Sequence, residues 1–272
     1  MTAHIMDHRA GFAPGTTAIT RHADKGEPTG IGLEVLVLPA GAEHVETVSA
    51  ETAFLLMSGT ATMILDNRRL AVARKSLFDE SPTCVHLASG GTIRVTARER
   101  TEFTVYRCAN RKPFPAAIYL PADTPDEHRG RGQVGGACLR LVRTIFDRSR
   151  AHADAELVLG EVITLPGRWS SYPPHHHPQP EIYHYRFTHP QGYGHAEHGD
   201  QVFIVRQNDT VKILAGHDHA QCAAPGYGMY YALVIRHLPD NPYTVPEFTA
   251  EHRWTMDKDA QVWRPKGLPP DA

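Results

Sequence analysis

The segment Arg168–Glu181 has the sequence RWSSYPPHHHPQPE, in which a run of three histidines is followed by a glutamate. If the run is extended, successive side chains point to opposite faces, so His175 and His177 share one face and His176 takes the other. A turn through the following prolines brings Glu181 back towards the first face. Two imidazoles and a carboxylate are a mixed donor set suited to a divalent cation such as Zn, Mn, Fe or Ni. The segment therefore predicts a metal site.

A further ligand for this site is expected downstream, in Gly216-His217-Asp218-His219. The alternative is that a short histidine run is a solvated loop that binds metals weakly. The glutamate at a suitable distance, the Pro-Pro pair before the run and the downstream Gly-x-x-His favour a site. An ion with open coordination positions would be catalytic, whereas a closed tetrahedral zinc would be structural.

Length and composition favour a turn-rich β protein. The chain has 272 residues, enough for one large or two modest domains, and its 21 prolines and 22 glycines argue against a helical bundle. The formal net charge is −2, and the charges are interspersed, so neither a nucleic-acid stripe nor a polybasic membrane patch is expected. No segment approaches the roughly 18 apolar residues of a membrane span. The four cysteines are far apart, which predicts reduced thiols, and we expect a cytoplasmic protein.

Many short strand candidates separated by turn residues predict an antiparallel sandwich or barrel. We expect one domain at residues 1–120, a connecting segment at 121–152 and a second domain at 153–272. The second domain ends in a Pro-rich tail, whose aromatic residues are expected to pin it against the body or a neighbouring subunit. These aromatic residues are Tyr243, Phe248, Trp254 and Trp263.

The two halves have the pattern of a repeat. His44, Glu51 and His86 are spaced along the first half much as His175, Glu181 and His219 are spaced along the second half. Glu46 stands where the first half would need its second histidine. We interpret the first half as a degenerate scaffold, although three ligands could remain there.

The H-x-H pair, the glutamate and the distant Gly-x-x-His resemble the metal motif of the cupin superfamily, whose fold is a small β-barrel or jelly roll. Two copies imply an all-β bicupin, with two tandem jelly-roll barrels. The flanking sequences resemble the 5-deoxy-glucuronate isomerase family of inositol catabolism. They include Arg74–Ser76, Gly160–Thr164, Trp169–His175, Glu181–Tyr183 and Ala224–Tyr227. The resemblance implies an aldose–ketose isomerase that acts on a deoxy-uronate, with metal ligands His175, His177, Glu181 and His219.

The chain departs from this family in the second motif, where Gly216-His217-Asp218-His219 stands in place of Gly-Tyr-His-Pro and His219 rather than His217 takes the ligand position, and at positions outside the implied ligands. His176 stands where the family usually has lysine, His184 where it has tyrosine, and Leu233 where it has asparagine. These departures concern which sugar acid is the substrate rather than the metal shell. We therefore also consider a sister specificity within the family.

Three residues are candidates for catalysis. Strand alternation sends Tyr183 and Tyr185 to the face of Glu181, which predicts hydrogen-bond donors or proton relays, with core packing as the alternative. Arg186 is the third candidate, because a guanidinium grips a carboxylate well. Gln221 and Arg168 are candidates for binding a substrate hydroxyl and the substrate carboxylate.

Two other functions remain open from the sequence. A cupin dioxygenase on a sugar acid can have the same ligand set, and a non-enzymatic sugar-binding bicupin would share the fold. The intact ligand set argues against the second alternative. Paired β-barrels often associate, so we expect a homo-oligomer with a small sugar acid as its substrate.

Overall fold

The computed structural model describes residues 3–267, and strands are its dominant element. About 49% of the chain is strand and 5% is helix, which confirms the all-β prediction. The first strands are β1 (His4–Ile5), β2 (Gly15–Thr20), β3 (Ile31–Leu38), β4 (Glu43–Thr47), β5 (Glu51–Leu65), β6 (Arg68–Arg74), β7 (Cys84–Leu87), β8 (Thr92–Ala97), β9 (Thr101–Cys108) and β10 (Ala117–Tyr119). They are followed by β11 (Glu127–Arg129), β12 (Arg140–Phe146), β13 (Leu157–Thr164), β14 (Trp169–His176), β15 (Glu181–Phe187), β16 (Tyr193–His198), β17 (Gln201–Arg206), β18 (Thr210–Ile213), β19 (His219–Ala223), β20 (Met229–Arg236) and β21 (Glu247–Phe248). Short 3-10 helices span Pro121–Asp123, Gln133–Gly136 and Ala250–Met256.

The first half forms one nine-stranded sheet that folds around its own core. Its main path runs β10-β7-β5-β9-β3-β2, and β4, β6 and β8 complete it. Strand β5 is 15 residues long, and its two ends pair with different neighbours. It is therefore part of both layers of the barrel. Leu55 on one face of β5 and Phe54 and Leu56 on the other are fully buried. Burial on both faces explains why β5 has a nearly continuous apolar sequence rather than strict alternation.

The second half forms two sheets that face each other. A seven-stranded sheet has the order β1-β18-β15-β20-β13-β12-β11, and a five-stranded sheet has the order β17-β16-β19-β14-β21. The first of these sheets includes β11 and β12 from the segment at 121–152, and β1 from the N-terminus. The domain boundaries stay a prediction. The segment at 121–152 is not a plain linker, because its strands β11 and β12 belong to the seven-stranded sheet.

Strand pairing supports a repeat and corrects one of its equivalences. The order β7-β5-β9-β3 of the first half matches β18-β15-β20-β13 of the second, and β4 pairs with β8 as β14 pairs with β19. Glu51 and Glu181 therefore begin matching strands. His86, however, lies on β7, whereas His219 lies on β19, the counterpart of β8. Matching His86 to His219 from their intervals was wrong, because spacing along the chain does not reveal which strand a residue joins.

The two halves share a buried core. One apolar cluster contains Leu33, Leu55 and Tyr106 from the first half together with Leu159 and Tyr230 from the second. Glu51 also crosses the boundary, since its carboxylate accepts hydrogen bonds from the backbone N–H groups of Glu156 and Leu157, at 2.8 and 2.9 Å. The halves therefore pack as one body through apolar and polar contacts.

The tail returns to the second half. Its strand β21 pairs with the end of β14, at His175 and His176. Tyr243 and Phe248 pack against the body as predicted, whereas the side chains of Trp254 and Trp263 are 48% and 82% exposed. The last residues, 268–272, lie outside the described part of the chain. Between residues 3 and 267, none of the helices has the length and apolar character needed to cross a bilayer.

Candidate metal centre

Three of the four predicted metal ligands converge between the two sheets of the second half. One ligand atom from each of His177, Glu181 and His219 lies within 4.8 Å of the other two. His177 Nε2 is 3.2 Å from Glu181 Oε2, and His219 Nε2 is 3.4 Å from the same oxygen. All three side chains are buried. In residues 3–267 this is the one group of three or more such side chains, so His44, Glu51 and His86 do not form a second site.

Backbone carbonyls orient the histidine rings. His177 Nδ1 lies 2.8 Å from the carbonyl oxygen of Gln179, and His219 Nδ1 lies 3.1 Å from that of His217. A carbonyl oxygen can only accept, so each Nδ1 carries the hydrogen and donates it. Each Nε2 is then the basic nitrogen and points towards Glu181. This arrangement is how proteins orient imidazoles that bind metals.

His175 lies beside the three converging residues. Its ring centroid is 4.3 Å from that of His219, and its Nδ1 is 3.1 Å from the carbonyl oxygen of Ser171. Burial, together with the nearby His219, lowers the pKa of His175 to about 3, so its imidazole is neutral at physiological pH. A backbone carbonyl therefore orients the ring of His175 as it does the other two rings, although His175 is not part of the tight group of three.

The charges at the centre suit a cation. Burial alone would raise the pKa of Glu181, but the adjacent imidazoles of His177 and His219 outweigh it and lower the pKa to about 2. Glu181 is thus a carboxylate at neutral pH. His219 Nε2 is buried and makes no hydrogen bond within the described part of the chain. A buried basic nitrogen without a donor, aimed at a buried carboxylate, fits a divalent ion bound to nitrogen and oxygen.

An open cavity of about 190 Å³ lies above these residues, and we call it the histidine cavity. Its volume is below the range typical of drug-sized ligands, which favours a small substrate. One side of the wall is polar and contains Ser171, His175, His177, Glu181, Tyr183 and Tyr231. The remainder is formed by Arg129, Arg140, Val142, Val162, Leu233, Ile235, Tyr243, Pro246 and Phe248.

The predicted pocket residues on β15 and β19 separate into two groups. Tyr183 lines the histidine cavity, and its hydroxyl is 3.4 Å from Ser171 Oγ. Tyr185 does not line it; its hydroxyl donates to Gln221 Oε1 at 2.8 Å, and both residues are fully buried. Burial raises the pKa of both tyrosines well above its usual value, so both hydroxyls stay protonated. Tyr183 is therefore positioned to meet a ligand, whereas Tyr185 and Gln221 form a polar contact beneath the cavity.

The two predicted arginines lie elsewhere. Arg186 points to the opposite face of β15, where it forms an ion pair with Glu102 of the first half at 2.7 Å and contacts His184. Arg168 donates to the carbonyl oxygen of Gly136 at 2.6 Å, outside the lining of the histidine cavity. Strand alternation accounts for Arg186, because Glu181 and Arg186 differ in parity along β15.

Two arginines and two tyrosines are among the residues of the cavity wall that sequence reasoning missed. Arg129 and Arg140 lie in the segment interpreted as a connection, and Tyr231 and Tyr243 were given no role in a site. The one signal for Arg129 was the Arg-Gly-Arg-Gly run at 129–132, because glycines allow close approach of the backbone, and Arg140 lies outside that run. The signal for Tyr243 was its position in a tail with isolated aromatic residues.

Comparison with known proteins identifies the family. A model of the KduI/IolB family matches residues 4–255 of this chain. The chain belongs to the KduI/IolB family. A relative named 5-deoxy-glucuronate isomerase, from Geobacillus thermodenitrificans, is 28% identical over 248 residues, covering 84% of this chain and 86% of the relative. The family resemblance predicted from the sequence is confirmed, and the chain is an enzyme, an isomerase of this family.

Solved structures confirm the fold. The crystal structure of an IolB-like protein from Salmonella typhimurium matches with a TM-score of 0.78 at 24% identity, covering 90% of this chain and 97% of that one. A cupin 2 conserved barrel domain protein from Leptotrichia buccalis matches with a TM-score of 0.53 at 13% identity, covering 86% and 95%. At these identities the likeness concerns the fold, and it supports the cupin prediction.

Proposed function

We propose that this enzyme is a metal-dependent aldose–ketose isomerase acting on a deoxy-uronate, with 5-deoxy-glucuronate as substrate and 2-deoxy-5-keto-gluconate as product. The observation that carries the proposal is the convergence of His177, Glu181 and His219 at a cavity of monosaccharide size. The name of the Geobacillus relative supplies the substrate class.

His177, Glu181 and His219 would hold the divalent ion, with His175 as the fourth ligand. Their buried, preoriented nitrogens and the carboxylate present the donor set in advance, so little reorganisation opposes binding. When bound, a divalent ion supplies Lewis-acid stabilisation for the oxygens that carry negative charge in an enediol.

The remaining chemistry is proton transfer between two neighbouring carbons. The hydroxyl of Tyr183 stays protonated because burial raises its pKa. It is therefore suited to donate a hydrogen bond to a substrate oxygen that gains charge. The apolar wall of Val162, Leu233 and Ile235 limits the access of water to this region.

The test is an anaerobic assay of metal-depleted protein reconstituted separately with Zn, Mn, Fe or Ni. We expect 5-deoxy-glucuronate to lose its aldehyde signal in the NMR spectrum while a ketone appears, and deuterium from D2O to enter the product. The variant His219→Ala should lose both bound metal and turnover, whereas His195→Ala, exposed on β16, should keep both. Full turnover by metal-depleted protein, or none with any of the metals, would contradict the proposal. A strict requirement for oxygen would indicate a dioxygenase instead.

The homo-oligomer expected from the sequence stays a prediction. Light scattering of the purified chain would measure it directly.

A further inference from the structure

Two arginines lie side by side in the wall of the histidine cavity. Arg129 on β11 and Arg140 on β12 are directly paired in the antiparallel register, so their side chains lie on the same face of the sheet. Both line the histidine cavity. Like charges at directly opposed positions destabilise a sheet. Such a pair requires a compensating interaction.

The protein supplies only part of this compensation. Arg129 forms an ion pair with Glu127 at 2.7 Å, and both side chains are about half exposed. Arg140 donates from Nη1 to the carbonyl oxygen of Cys138 at 3.0 Å, and within residues 3–267 it has no carboxylate partner. Burial, and to a smaller extent Arg129, lower the pKa of Arg140 from its usual value. An arginine nevertheless remains charged at neutral pH.

The backbone beside Arg140 is shaped to admit its guanidinium. Gly130 has a φ of +70°, and a Cβ at this position would lie 2.3 Å from the carbonyl oxygen of Cys138 and 2.5 Å from Arg140 Nη1. Any other residue would strain the backbone and press its Cβ against the carbonyl oxygen of Cys138, which accepts the hydrogen bond from Arg140. The glycine after Arg129 therefore keeps the second arginine at the cavity wall.

The acidic side chain of the cavity does not compensate the charges of the two arginines. Glu181 is the one carboxylate among the residues that line the cavity, and it is engaged by His177 and His219. Apolar residues, including Val142 on the same strand face as Arg140, complete the wall. The cavity thus has one region that suits a cation and carbonyl oxygens, and a second region that suits an anion.

We infer that Arg129 and Arg140 form the subsite that binds the carboxylate of the sugar acid, with Arg140 as its principal residue. This inference rests on the proposed function, because it requires the carbonyl end of the same substrate to lie at His177, Glu181 and His219. A guanidinium binds a carboxylate through two parallel hydrogen bonds, which selects uronates over neutral sugars of similar shape. The subsite makes the enzyme specific for an acid rather than for a particular pattern of hydroxyls.

The first experiment compares 5-deoxy-glucuronate with 5-deoxy-glucose, in which a hydroxymethyl group replaces the carboxylate. In Arg140→Gln we expect KM for the acid to rise about 30-fold or more, with a smaller change in kcat, because the bound carboxylate of the substrate loses its charged partner. KM for the neutral sugar should change little, so the preference for the acid should collapse. Arg140→Lys should give an intermediate KM, because it keeps the charge but not the paired hydrogen bonds. Arg129→Gln should raise KM less, since Arg129 is half exposed.

The matched control is Arg131→Gln. Arg131 lies just after β11, is exposed and contacts His128, and it does not line the histidine cavity. It should retain wild-type KM for both sugars. If Arg140→Gln fails to fold, Arg140→Lys and Arg129→Gln carry the test. Wild-type preference for the acid in the folded variants of Arg140 and Arg129 would overturn the inference.

A binding measurement separates this inference from the proposed function. Calorimetry with D-glucuronate and D-glucose as probes requires no turnover. Wild-type protein should bind the acid more tightly than the neutral sugar, and Arg140→Gln should lose the difference. Suppose that no uronate is isomerised, but that wild-type protein binds the acid more tightly than the neutral sugar and Arg140→Gln does not. The proposed reaction then fails and the anion subsite stands. If wild-type protein does not distinguish the two probes, the subsite is wrong whatever the activity.

Discussion

Arg74 of the first half forms two hydrogen bonds to Glu161 of the second half, at 2.7 and 2.8 Å, and both side chains are fully buried. Tyr230 donates a further hydrogen bond to Glu161 at 2.8 Å. Both Arg74 and Glu161 lie in segments that carried the resemblance to the isomerase family. They do not line the histidine cavity, so these two residues join the two halves rather than bind substrate.

The first prediction concerns this ion pair. Glu161→Gln should lower the free energy of unfolding by about 3–5 kcal/mol, because it leaves the buried charge of Arg74 without its partner. The matched control is Glu43→Gln, which removes an exposed pair with Arg94 and should cost less than about 1 kcal/mol. Urea unfolding followed by circular dichroism measures both. Equal losses for the two variants would contradict the structural role of Glu161.

The second prediction concerns pH and Glu51. Burial raises the pKa of Glu51, but hydrogen bonds from His86, Asn110 and the backbone outweigh it, so the pKa lies below its ordinary value. A carboxyl whose pKa is lowered by folding stabilises the protein above its unfolded pKa, and this contribution is lost as the pH falls through the folded value. Glu51→Gln should therefore be less stable than wild type by about 1–3 kcal/mol at pH 7.

The difference between wild type and Glu51→Gln should shrink as the pH falls below about 4.5, where the unfolded carboxyl takes up its proton. Urea unfolding at a series of pH values measures it. A difference that stays constant down to pH 3 would show that the charge of Glu51 is not responsible.

The third prediction concerns bound metal and stability. A divalent ion that binds only the folded protein should raise its stability by about 2.7 kcal/mol at a free concentration 100 times its Kd. Glu181→Gln should greatly reduce this gain, because it removes the charged oxygen ligand. Thermal unfolding with and without Zn or Mn, together with elemental analysis, measures both effects. An unchanged gain in Glu181→Gln would place the ion elsewhere.

The fourth prediction separates the two tyrosines of β15. Tyr183→Phe should lower kcat by about 100-fold if its hydroxyl takes part in proton transfer, while metal content stays normal. Tyr185→Phe should leave kcat close to wild type and lower stability by about 1 kcal/mol, because it breaks the buried hydrogen bond to Gln221. Steady-state kinetics and urea unfolding of both variants provide the measurement. The opposite order of the two effects on kcat would assign the chemistry to Tyr185.

The fifth prediction concerns the tail. The ring centroid of Tyr243 is 4.9 Å from that of His177, and Tyr243 lines the histidine cavity. Tyr243→Ala should raise KM on the order of tenfold, since it removes an aromatic contact from the cavity wall. Val245→Ala is the control, because Val245 is 76% exposed and does not line the cavity. A KM that is equal in the two variants would show that the tail does not shape the substrate site.

Local patterns determined much of this protein. Side-chain alternation and a turn through Pro178 and Pro180 predicted that His177 and Glu181 meet. Alternation along the next strand predicted that Tyr183 shares their side, because these residues lie close together in sequence. The turn-rich composition and short apolar segments determined the all-β class. The motif around His175 determined the family.

Tertiary structure decided what depends on pairing between distant strands. Arg129 and Arg140 reach the histidine cavity because β11 and β12 extend the sheet of the second half. No local sequence pattern predicts that these two strands join the edge of that sheet. The tail places Tyr243 over His177 by folding back across the barrel. His86 was matched with His219 because their intervals agree, yet they lie on different strands. Sequence spacing determines which face a residue takes within its own strand, whereas long-range register decides which strands, and hence which side chains, surround a site.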